Sequence, residues 1–306
     1  MKALYEGLKA VYGPRDAGSV PIRSRDGNAV ISGRADILSR WAEHFSGVLN
    51  QVSAFDQTVM SELPEWETNE DLVRPLSENE VQHAINQLKL GKAAGADGLP
   101  GELFKIGSQD LTCILVKLFD DIWQKRSVPQ EFKDALIVHI CKRKGDRSVC
   151  DNHRGISLLS IPGKILACVI LNRLAKHVAD CDILPESQCG CRRGRGTMDM
   201  ITTARQLQEQ CREQQCDLCI VFVDLTKAFN SVNTDALWMI LKKIGCPSNF
   251  VDIIRLFHDG KRACVIEAGE MSQLLHVMNG TNQGCVLASL LFSIFFATML
   301  LVAFGL

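Results

Sequence analysis

The run Ile220-Val221-Phe222-Val223 ends abruptly in Asp224, and no other junction constrains the fold as much. A short apolar run reads as a buried strand, and a buried strand must pair its backbone groups and be covered. A carboxylate then stands at the strand tip, followed by Ala228-Phe229-Asn230. From the residues alone, two readings of Asp224 are open. It can N-cap the next helix, its oxygen accepting a backbone N–H two or three residues on. It can instead ligate metal, since Mg²⁺ takes a few rigidly held carboxylate oxygens together with substrate phosphates.

The rest of the pattern mixes helices and strands without strict alternation, which favours an α+β fold over a doubly wound sheet. Ile37, Leu38, Trp41, Phe45 and Leu49 fall at helical spacing. Ser77-x-x-Glu80 is a capping-box pattern that opens a helix carrying Val81, Ile85 and Leu88. Further helices are expected around Leu111–Ile122 and Ile170–Val178, from Thr197 past Leu207, and at 235–245 and 249–258. "ALIVHI" (135–140), "ACVIEA" and "QLLHVM" read as strands, and "CKRKGDR" (141–147) as a charged hairpin tip.

The 306 residues are 46% hydrophobic, enough to bury a sizeable core. A formal net charge of −1 announces no polyanion partner, so any basic footprint must be local. Two clusters qualify: Lys142, Arg143, Lys144 and Arg147, and then Arg192, Arg193 and Arg195. On turn-like segments these can be ordinary solvated loops or contacts to phosphate. Charged residues interrupt every apolar run near the N-terminus, so a secretory signal is not read there. An intracellular chain with reduced cysteines is expected.

Six stretches together resemble the reverse transcriptases of non-LTR (LINE-type) retrotransposons. "FVDLTKAFNSVN" is similar to that family's first catalytic motif, with Asn230 where the family has Asp. "NHRGISLLSIPGKILACVILNRL" (152–174) is similar to the fingers motif, and "ILPESQCGCRRGRGT" (183–197) to the segment after it. "NQGCVLASLLFSIFF" (282–296) is similar to the Q-G motif, and "KLGKAAGADGLPGELFK" (89–105) to an early element. "RWAEHFSGVLN" (40–50) resembles the family's connector, which assigns 1–75 to a connector and 76–306 to a partial polymerase domain. The resemblance implies a helix-rich partial right-hand polymerase: fingers and an incomplete palm, with the thumb absent. It implies that Asp224 holds Mg²⁺, Arg154 meets the triphosphate, and Phe229 lies under the incoming sugar. Gln283 and Gly284 would shape the nucleotide pocket. The implied partners are an RNA template, a DNA primer and deoxynucleoside triphosphates.

The family's second carboxylate motif, [FY]-A-D-D, does not follow the Q-G motif before Leu306. Asp120-Asp121 is no substitute, since it lies far upstream in a helical pattern. With one carboxylate site two ions cannot be held for phosphoryl transfer, so a catalytically inactive chain is expected. Two alternatives accompany this expectation. One is a non-catalytic nucleic-acid-binding remnant that uses the two basic loops. The other is a membrane protein anchored by 285–306, which is uncharged and mostly apolar. Ser289, Ser293 and Thr298 dilute that segment, and a palm helix left partly uncovered is the preferred origin.

Overall fold

The computed structural model describes residues 20–51, 55, 60–61, 63–192, 194–225, 228–278 and 284–304. The fold is mixed α+β and helix-rich. A two-stranded ribbon, β1 (Ile22–Arg23) and β2 (Val30–Ile31), leads into α1 (Arg34–Leu49). Then come α2 (Glu78–Gln87), α3 (Gly101–Ile106), α4 (Gln109–Lys125) and the short α5 (Gln130–Lys133). Strands β3 (Ala135–Cys141) and β4 (His153–Leu158) form a hairpin, followed by α6 (Ile161–Asp180) and α7 (Thr197–Glu213). The C-terminal part holds α8 (Thr234–Lys243), α9 (Ser248–Leu256), β5 (Lys261–Glu267), β6 (Glu270–Met271), β7 (Leu275–Val277) and α10 (Ala288–Phe304).

Five strands make one sheet in the order β4-β3-β5-β6, with β7 also on β5. The β3/β4 pair is antiparallel, with Ile140 opposite Arg154 and Ile137 opposite Ser157. Strands β3 and β5 are parallel. The apolar stripe of α1 is buried at Ile37, Trp41, Phe45 and Leu49, and it covers one sheet face over Ile137, Ala263 and Val265. The Trp41 ring stacks on His139, centroids 4.0 Å apart. Glycine at 155 is a consequence of this packing: a Cβ there would enter the Phe45 ring.

A second, larger core joins α2, α4, α6, α8, α9 and α10 through Ile85, Phe119, Ile170, Leu237, Phe250 and Leu291. Each of these helices except α10 has an apolar stripe at 3.6-residue spacing, which is why their positions could be read from sequence. The capping box at Ser77 forms as expected. Its Oγ accepts from the Glu80 N–H at 3.3 Å, and the Glu80 carboxylate accepts from the Ser77 N–H at 2.9 Å. Ser77→Ala is therefore expected to cost about 1 kcal/mol in urea unfolding. Helix α7 forms too, but none of its residues is buried.

Helix α10 corrects the reading of the tail as a membrane anchor. Among the described residues no helix is long and apolar enough to cross a membrane. Nor is α10 bare, since Leu290, Leu291, Ile294 and Ala297 are buried in the helical core while Met299 and Phe304 stay exposed. All thirteen cysteines are free thiols.

Candidate functional site

Residues 216–225 form no strand, contrary to the sequence expectation. Val221, Phe222 and Val223 are 77%, 89% and 78% exposed, and Asp224 is exposed beside them. The physical reason is non-local. A strand exists only when another edge takes up its backbone groups, and no described strand pairs with this segment. The backbone donors that a cap at Asp224 would engage, two or three residues on, lie outside the described residues. Helix α8 begins at Thr234, and Asn233 caps it by accepting from the Ala236 N–H at 2.9 Å.

Phe229 lies in a single 3-10 turn, Ala228–Asn230, and is half-buried. Its ring sits 5.1 Å from that of Phe292 on α10, which in turn stacks on Phe296. The first-motif loop is thus tied to the helix that follows the Q-G motif. Gln283 lies outside the described residues. Gly284 has φ +110°, and a Cβ on it would collide with the Ser157 carbonyl of β4. Three residues before Ser157 stands Arg154, roughly 10 Å away along the strand. Arg154 is exposed, with no side-chain partner among the described residues. The fold therefore brings the Gly284 backbone against β4, and Phe229 against α10.

The basic loops differ from one another. Lys142, Arg143, Lys144 and Arg147 are exposed on the β3–β4 connection, with Lys142 donating to the Asp151 carbonyl at 2.8 Å. Arg143 takes a left-handed φ of 58° at the tip. In the second loop Arg192 pairs with Glu186 at 3.1 Å and donates to the Pro185 carbonyl at 3.0 Å. Arg195 also pairs with Glu186. This loop neutralises part of its own charge, which a list of arginines does not reveal. Arg193 lies outside the described residues.

Sequence reading missed a half-buried polar cluster at the start of β4. His153 donates to the Arg147 carbonyl at 2.9 Å, and its Nδ1 lies 3.3 Å from that of His139. His139 in turn meets Glu267 at 2.6 Å. Burial, opposed by the hydrogen bond to Arg147 and aided by His139, holds the His153 pKa below its ordinary value. Also missed was Lys261, buried on β5 in phase with Ala263 and Val265. Its signal was present: a lysine at the start of an alternating apolar run.

The donor set for metal was tested against this geometry. Among the described residues no three His, Cys, Asp or Glu side chains converge to hold an ion. Asp224 contributes one exposed carboxylate, and by themselves the described residues do not fit a two-metal centre.

A family model described as reverse transcriptase (RNA-dependent DNA polymerase) matches residues 140–301, just over half of the chain. The chain belongs to the reverse transcriptase family, and every candidate residue from Lys142 to Gly284 falls inside the matched span. Among curated relatives, it is 28% identical over 229 residues to a probable RNA-directed DNA polymerase from transposon BS of Drosophila melanogaster. That alignment covers 74% of this chain and 25% of the relative. It is 28% identical to the RNA-directed DNA polymerase from mobile element jockey of Drosophila funebris, covering 74% of this chain and 24% of the relative. An uncharacterized 149 kDa protein of transposon TX1 from Xenopus laevis is 26% identical, again over 74% of this chain but 17% of its own length. The chain spans about a quarter or less of the length of these relatives.

Proposed function

We propose that residues 76–306 are the fingers and part of the palm of a LINE-type reverse transcriptase, preceded by a connector at 1–75. The reaction served is template-directed addition of a deoxynucleotide to a primer 3′-OH, with RNA as template, DNA as primer and a deoxynucleoside triphosphate as substrate. The observation that carries this is the order of the motifs around Arg154, Asp224, Phe229 and Gly284 within a single family match. Arg154 supplies an exposed guanidinium, without a side-chain partner among the described residues, that suits a triphosphate. Phe229, braced by Phe292, supplies a fixed aromatic surface for the sugar. Gln283 and Gly284 shape the pocket, and the loops at 142–147 and 192–195 position nucleic acid through phosphate contacts. Asp224 would be one ligand of the Mg²⁺ ions that neutralise attacking and leaving oxygens when bound.

The run Val221–Val223 has the composition of a palm strand and is exposed in the described fold. No [FY]-A-D-D turn follows Gly284 in these 306 residues, and no part of them is assigned to a thumb. On this reading the 306 residues alone are catalytically incomplete. Primer extension on an RNA template with Mg²⁺ and all four deoxynucleotides is expected to give no product above background. Sustained extension that disappears in Asp224→Ala would overturn the incompleteness. Extension restored by adding the missing carboxylate segment in trans, and again lost in Asp224→Ala, would support the reading as a whole.

A further inference from the structure

Lys261 is the most isolated cation among the described residues. It is 6% exposed, and its Nζ has no hydrogen-bond partner. A buried ammonium without a partner costs several kcal/mol, so the group must either lose its proton or meet an anion. Its surroundings favour the anion. Lys261 lines a small cavity together with Lys133, Lys164, Gly163 and Cys285, and no carboxylate is among the lining residues. The first turn of α6 forms part of the wall, and this twenty-residue helix directs the positive end of its dipole there. Asp259 is a nearby acid, but its carboxylate is engaged by Arg255 at 3.1 Å. His258 supplies no charge to balance it: its Nδ1–H donates to the Ile254 carbonyl at 2.9 Å, and its buried Nε2 is left as an unpartnered acceptor. Burial, and then Lys261, push the His258 pKa down to about 3.

We propose that this cavity binds a phosphate group, with one oxygen on Lys261 and the remainder held by Lys133 and Lys164. The size agrees with that division. The enclosed space is about 20 Å³, room for one oxygen-sized atom. Lys133 and Lys164 are both half-buried, so the wall reaches solvent at their side chains. Burial holds the Lys164 pKa below the ordinary lysine range, and Asp97 opposes the shift. A bound anion would reverse that shift. The site stands whether or not the chain belongs to an active polymerase.

The test is thermal unfolding of the full 306-residue chain while inorganic phosphate is titrated at fixed ionic strength. A saturable rise in Tm is expected, because a ligand that binds only the folded state stabilises it by mass action. Lys261→Met is expected to raise the Tm without phosphate, by removing a buried unpaired cation, and to abolish the rise with it. The absence of a saturable rise in the native chain, or an equal rise in Lys261→Met, overturns the proposal. Should Lys261→Met fail to fold, Lys164→Met serves. A weakened phosphate response supports the site and an unchanged one sinks it. A parallel titration with dATP identifies the source. A Lys261-dependent rise with dATP assigns the site to a nucleotide phosphate, and a rise with inorganic phosphate alone assigns it to the free anion. A Lys261-dependent phosphate response keeps this site even if the carboxylate segment added in trans restores no extension, and restored extension without a phosphate response keeps the polymerase reading while this site fails, so the two are separable.

Discussion

Arg173→Ala is expected to destabilise the fold by about 2–3 kcal/mol, because it removes a well-buried guanidinium with five hydrogen bonds, and solvent at the 34%-exposed Glu80 carboxylate screens what is left behind. Arg173 projects from α6, and its side chain is 10% exposed. Its guanidinium forks onto Glu80, with Nε to Oε1 at 2.7 Å and Nη2 to Oε2 at 2.9 Å. The remaining N–H groups reach the carbonyls of Leu72, Arg74 and Pro75 at 3.0, 2.6 and 3.0 Å. The charged plane also lies 5.3 Å from the Trp123 ring centre. One side chain therefore ties the segment before α2 to the central helix. Arg173→Lys keeps the charge but loses the planar fork, so an intermediate loss is expected. The pH dependence follows from Glu80. Desolvation raises its pKa, and hydrogen bonds from Arg173 and Ser77 outweigh it, leaving the carboxyl at about 2 against an ordinary 4.5. A depressed carboxyl stabilises fully above the unfolded value, and that contribution fades as pH falls through the folded one. Stability should thus fall between about pH 4.5 and 2 in the native chain, and less steeply in Arg173→Ala. Urea unfolding across that range is the measurement. A loss below about 1 kcal/mol at neutral pH would show the pair to be surface-like.

Local patterns were legible in the sequence wherever one element specifies itself. Val81 and Ile85, Leu115 and Phe119, and Ile170 and Leu174 each repeat at helical spacing, and all are buried on their helices. Ser77 and Glu80 announced a cap because both partners lie within one turn. What was not legible depends on residues far apart in the chain. Ile220–Val223 have the composition of a strand, but pairing requires an edge that composition does not supply. Arg192 and Arg195 looked like free cations until the turn brought Glu186 to them. Lys261 was passed over at the head of an apolar run, and only the packing of α5, α6 and Cys285 around it makes it isolated. Asn233 was a local signal passed over: it immediately precedes the apolar stripe of α8, a better cap position than Asp224 nine residues back. The candidate site divides in the same way. Its motif residues could be named from sequence, whereas the contacts of Gly284 with Ser157 and of Phe229 with Phe292 join segments roughly 60 to 130 residues apart.

Gly284→Ala is expected to cost about 3 kcal/mol, and the comparison with Gly98→Ala separates its two causes. Both glycines have positive φ, +110° at Gly284 and +67° at Gly98, so both substitutions carry backbone strain. At Gly98 a Cβ meets nothing within 4 Å, and a loss of about 1 kcal/mol is expected from strain alone. At Gly284 the new carbon collides with the Ser157 carbonyl oxygen and comes within 3.2 Å of its nitrogen. These are backbone atoms, and the ladder to Ile137 holds them, so they cannot swing aside as a side-chain tip would. Either β4 leaves β3 or the Q-G segment leaves β4, and each forfeits packing. If the Q-G segment moves, amides near Cys285 and Val286 should lose hydrogen-exchange protection while the β3/β4 amides keep theirs. If β4 moves, the β3/β4 amides should exchange first. Urea unfolding supplies the total. Equal losses in the two variants would mean that the contact between Gly284 and Ser157 contributes nothing, and the close approach that joins the Q-G motif to the strand of Arg154 would have to be abandoned.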